Sequence, residues 1–142
     1  MVTKADFTED QWRVLAFAIE DIVMYVSVAN GPKIFESISE IGASARFMSE
    51  QGKTSESTLV RDLATGAGWH RDKAMKGDSA DIEATVLDRI AEAVAIVTEV
   101  APDELDALKA FIVGVAQAAA EAKNGVDEKE ANAIEKIKSA LL

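Results

Sequence analysis

Two neighbouring carboxylates, Glu20 and Asp21, interrupt a stretch that is otherwise mostly apolar, "LAFAIEDIVMYVSVA", residues 15–29. A carboxylate removed from water is costly unless it is paired, and burial raises its pKa. Such a group suits proton transfer or the binding of a hard cation. The competing reading places both residues on a narrow solvent stripe with Arg13, Ser27 and Gln11, and the spacing favours it. Arg13 and Glu20 are seven residues apart, two helical turns. Adjacent helical residues point about 100° apart, so at most one of the two is expected to lie deep.

A second acidic group surrounds Asn124-Gly125. Asn124, Asp127, Glu128 and Glu130 could offer oxygens to Ca²⁺ or Mg²⁺. An EF-hand register fails there: with Gly125 in the sixth position, the first, third and twelfth fall on Ala120, Ala122 and Ala131. Asp127-x-x-Glu130 reads more simply as a capping box at a helix start. The third candidate is "GAGWHRDKAMKGD", residues 66–78, which holds the chain's single His and its second Trp. His70 with Asp72 could ligate a metal or take a proton, but one His and no Cys speak against zinc. No Ser or Cys nucleophile stands out, and Gly66-Ala67-Gly68 lacks the strand-then-helix setting of a phosphate loop. Trp69 is expected to anchor the segment and His70 to be solvated. If the segment meets a partner, Trp69, His70, Arg71, Lys73 and Lys76 are the residues to carry it.

The elements that must position these groups read as helices. Ala is abundant, aromatics are few, Pro occurs twice and no segment alternates with period two. The first helix spans about 8–29, capped by Thr8, with Trp12, Leu15, Ile19, Ile22 and Val26 as an apolar stripe widened by Val14, Phe17, Met24 and Val28. Asn30-Gly31 ends it and Pro32 opens the next, about 32–49. Residues 49–79 read as a loop-rich insert in which 55–64 can form a short helix. From Ser79, Ile82, Val86, Ile90, Val94 and Val97 form a stripe opposite Glu83, Glu92 and Glu99, up to the break at Ala101-Pro102. A helix from Pro102 puts Leu105, Leu108, Ile112, Val115 and Ala119 inward. A last one from about Asp127 does the same with Ile134, Ile137 and Leu141. The expected fold is all-α: one domain, residues 1–142, as a compact bundle of five main helices plus one or two short ones. Residues 8–48 form a first hairpin and 80–142 a three-helix part. Both halves bend at an Asn-Gly corner, and setting residues 8–41 over the later hairpin at an offset of 94 pairs Phe17 with Phe111 and Glu36 with Glu130. Ile38 and Ile41 match Ile134 and Ile137 better at an offset of 96. A duplicated hairpin would leave this pattern, and so would two independent solutions to one turning problem.

Composition narrows the function. The net charge is −10, with residues 78–106 holding nine acidic side chains and one basic. Such a chain repels phosphate backbones, so nucleic-acid binding is not expected. The absence of Cys excludes disulfides and thiolate metal sites. "MVTKADFTEDQW" lacks a signal-peptide pattern, and no apolar run is long enough for a membrane span. A cytoplasmic protein is expected.

The stretch "AQAAAEAKNGVDEKEANAIEKIKSAL", residues 116–141, resembles the repeat of the TerB-like (tellurite resistance protein B) family. The resemblance is clearest over 103–141 and fainter over 8–48. Asn30 and Asn124 stand where the family usually has Asp, so each corner lacks a charged oxygen. The resemblance implies a compact helical domain linked to stress response or membrane-associated complexes, with no established catalysis. Three readings follow in order: a non-catalytic adaptor working through protein contacts, a cation-binding regulatory domain using Glu20, Asp21, Asp127 or Glu130, and a small hydrolase-type enzyme. No cofactor is expected, Ca²⁺ or Mg²⁺ being the ions the acidic groups would take. Apolar surface on the Ala-rich helix would support a homodimer.

Overall fold

In a computed structural model the backbone is described for residues 2–28, 34–66, 79–120 and 128–142, and side chains for 2–26, 44–65, 80–120 and 131–142. The described chain is all-helical: α1 (Glu9–Val28), α2 (Ile34–Thr54), α3 (Thr58–Gly66), α4 (Ser79–Val100), α5 (Leu105–Ala120) and α6 (Glu128–Ala140). Two 3-10 turns, Lys4–Asp6 and Pro102–Glu104, precede α1 and α5. No strand occurs among the described residues. Both Asn-Gly corners lie outside them, and so does any comparison of the two bends.

The start of α1 is fixed locally. Thr8 Oγ1 accepts from the Gln11 amide at 3.1 Å, and Gln11 Oε1 accepts from the Thr8 amide at 2.9 Å, a reciprocal capping box. Phe7, just before the cap, packs on Trp12 with ring centroids 5.7 Å apart, which sets the entry angle of the chain. The preceding turn is tied to α3, where Asp62 Oδ2 accepts from the Lys4 amide at 3.0 Å.

Residues 49–54 correct the loop expected from residue 49. They continue α2 to Thr54, so that only 55–57 separate it from α3. The reason is tertiary. A Cβ on Gly52 would stand 2.8 Å from Thr65 Cγ2, so the glycine lets α2 and α3 meet closely. That packing outweighs the roughly 1 kcal/mol helix penalty of glycine. Ser57 then caps α3, accepting from the Val60 amide at 3.2 Å and donating to Glu104 Oε2 at 2.6 Å. Residues 67–78, the rest of the expected insert, lie outside the described residues.

The bundle closes around α1, which packs against α2, α4, α5 and α6. Tyr25 reaches Glu83 while Phe17 lies beside Arg89, so α1 and α4 run antiparallel. Six consecutive residues, Ala18 to Val23, are buried. A helix with one neighbour buries a stripe; this one is covered on every side along those turns.

Candidate functional site

The covering of α1 settles where the central carboxylates lie. Glu20 is 4% exposed and Asp21 2%, so the solvent-stripe expectation is corrected, and so is the expectation that at most one would be deep. A hundred degrees of separation keeps one of two neighbours wet only if one side of the helix faces water. Here both carboxylates are enclosed, and both take part in interactions within the chain. Among the described residues, no group of three His, Asp or Glu side chains is placed to hold a metal. Asp127, Trp69, His70, Arg71, Lys73 and Lys76 lie outside the described residues. Glu130 lies in the first turn of α6, with its side chain outside them.

A cluster that sequence reasoning did not assemble joins three helices. The Tyr25 hydroxyl on α1 donates to Glu83 Oε1 on α4 at 2.7 Å. Lys136 Nζ on α6 donates to the same oxygen at 2.6 Å. Tyr25 is 6% exposed, so its hydroxyl needs a partner inside the protein. That need was the available signal: a lone Tyr amid apolar helix residues calls for an acceptor. Its identity was hidden, because Glu83 reads as an outward residue opposite the apolar stripe of its own helix.

The electrostatics follow from this geometry. The Lys136 hydrogen bond, and after it the Tyr25 hydrogen bond, hold the Glu83 carboxyl below its ordinary value against a smaller opposing effect of desolvation. Burial, then the hydrogen bond to Glu83 and its charge, push the Tyr25 phenol well up. A depressed carboxyl contributes stability that is full above its unfolded value, about 4.3, and fades as pH falls through the lower folded value. A raised phenol contributes stability that is full below about 10 and is lost as pH rises through the folded value. The clasp is therefore at full strength across the neutral range. Glu83→Gln is expected to lower stability by about 1 kcal/mol at pH 7, allowing for solvent screening. Urea midpoints taken from pH 7 down to pH 2 should show that difference shrinking once wild-type Glu83 protonates.

Further along the α1–α4 contact, the Arg89 guanidinium lies 5.7 Å from the centre of the Phe17 ring and 3.4 Å from Glu92 Oε2. The described surface carries open grooves. One of about 580 Å³ lies at the N-terminal turn against Phe7, Trp12 and Asp62. One of about 430 Å³ runs between α4 and α6, and one of about 340 Å³ between α2 and α3. The first is also lined by Thr3, Lys4, Thr8 and Glu9.

No helix among the described residues is long and apolar enough to cross a membrane. No family model, curated protein or solved structure matches the chain.

Proposed function

We propose that this chain is a non-catalytic helical interaction module, similar to the TerB-like stress-resistance proteins, that works through contacts with other proteins. The observation that carries the reading is the outer face of α4. Asp81, Asp88, Glu92 and Glu99 are exposed along it, and Asp103 and Asp106 extend the exposed charge past the turn. Exposed Ala84, Ala91 and Ala95 lie between them, short enough to let a partner's backbone approach. This face suits a basic protein surface, with recognition tuned by charge and weakened by salt. In the same reading Trp69, His70, Arg71, Lys73 and Lys76 form a second contact. The test is affinity recovery with the full chain from its own cells. Asp88→Lys/Glu99→Lys/Asp103→Lys should lose the specific partner at least tenfold while its melting temperature holds. Unchanged recovery with this variant and with Arg71, Lys73 and Lys76 neutralised would remove the reading. Tellurite tolerance of cells lacking the chain, restored by wild type but not by the variant, would support the family part of it.

The burial of Glu20 and Asp21 favours one alternative, a cation-responsive domain. At a hundred times its dissociation constant, Ca²⁺ or Mg²⁺ would add about 2.7 kcal/mol to stability. A melting-temperature rise in millimolar cation that disappears in Glu20→Gln/Asp21→Asn would establish it, and no rise would end it.

A further inference from the structure

The described side chains of α6 attach it to the bundle along one stripe. Ala133, Ile134 and Ile137 are buried on it, with Leu141 just past its end, while Asn132, Glu135, Lys136 and Ser139 are exposed. α1, by contrast, has no uncovered side between Ala18 and Val23. The groove of about 430 Å³ between α4 and α6, lined by Leu87, Glu135, Lys136, Ser139 and Ala140, brings solvent alongside this attachment. Among the described side chains, the polar tie from α6 to the other helices is Lys136 to Glu83. Tyr25 holds that carboxylate from the α1 side, so the latch is anchored in the most enclosed helix of the fold.

We propose that α6 opens as a unit from a bundle that otherwise stays folded, and that the Glu83 carboxylate is the latch that sets how often it does. Segments with few buried contacts and solvent-adjacent ties open at lower cost than the core. Opening uncovers the Ala133, Ile134, Ile137 and Leu141 stripe together with the surface it covered on α1, α4 and α5. The chain then presents an amphipathic helix with its own adhesive face. This inference is independent of the reading of the acidic α4 face.

Native-state hydrogen exchange on the full chain tests it. Amides of residues 133–140 should exchange through an opening with weak denaturant dependence, and those of residues 15–23 through global unfolding with steep dependence. Glu83→Gln and Lys136→Met should each speed the α6 amides roughly fivefold, the factor equivalent to one weakened charged hydrogen bond. Leu59→Ala, which opens a cavity in α3, should speed the α1 amides at least ~30-fold and leave the α6 amides unchanged, because the open form keeps α3 packed. Val60→Ala replaces it if that variant is too unstable to study. The proposal is overturned if the α3 variant speeds α6 as much as α1, since α6 then exchanges only with the whole fold. It is overturned equally if neither latch variant changes the α6 rates.

Discussion

Asp21→Lys is expected to cost more than about 3 kcal/mol, the typical penalty for stranding a charge in an interior built for its opposite. Asp21 is 2% exposed at the middle of α1, one turn from each of Phe17 and Tyr25, which both meet α4. A longer cation there must displace packed side chains and forfeit whatever the carboxylate engages. Had Asp21 lain on a solvent stripe, the same change would fall within about 0.5 kcal/mol of wild type. The two readings differ severalfold in one urea titration. Arg13→Gln supplies the exposed reference on the same helix and is expected to stay within about 0.5 kcal/mol. Glu20→Lys should behave like Asp21→Lys, because its neighbour on the helix is no wetter.

Gly114→Val is expected to lower stability by about 2–3 kcal/mol through overpacking. Any Cβ on Gly114 would overlap the Phe47 ring, which lies directly over the glycine where α2 crosses α5. That ring is stacked on Phe111, one turn away on α5, with centroids 6.1 Å apart and planes 18° apart. A valine forces Phe47 outward and separates it from Phe111, removing an aromatic pair worth about 0.5–1.5 kcal/mol beyond its buried area. Gly114→Ala is the sharper comparison, since alanine gains about 1 kcal/mol of helix propensity. A net loss with alanine would show that the ring contact outweighs propensity. Combining Gly114→Val with Phe47→Leu should recover part of the loss, because the two changes meet at one point. Additive losses would mean that the ring is not what the valine strikes.

Periodicity was a sound guide to the side chains that face the core. Leu15, Ile19, Ile22 and Val26 on α1, Val86, Ile90 and Val97 on α4, and Leu108, Ile112, Val115 and Ala119 on α5 are all buried. Ile134, Ile137 and Leu141 follow the same rule around α6. It failed where coverage depends on how many neighbours a helix acquires. Met24 was assigned to the apolar stripe and is 43% exposed, whereas Glu20 and Asp21 were assigned to solvent and are buried. Side-chain chemistry alone ranks those three in the opposite order. The glycines show a related gap. Gly52 fell within the expected loop and Gly114 within an expected helix, yet each sits where a second helix needs the missing Cβ. The Tyr25–Glu83–Lys136 clasp draws on residues 25, 83 and 136, one per helix, and no local pattern links them.

The enclosure of α1 bears on how the chain matures during synthesis. α1 is made before every other helix that covers it, and α4, α5 and α6 come from the far half of the sequence. At translation rates of 5–20 residues per second, α1 waits roughly 5–20 s between leaving the ribosome and meeting α5. Throughout that interval its Ile19, Ile22, Val23 and Val26 side chains have no complete niche, and Glu20 and Asp21 are the charges set among them. The carboxylates that become interior groups in the finished bundle are thus hydrated charges until the later helices arrive.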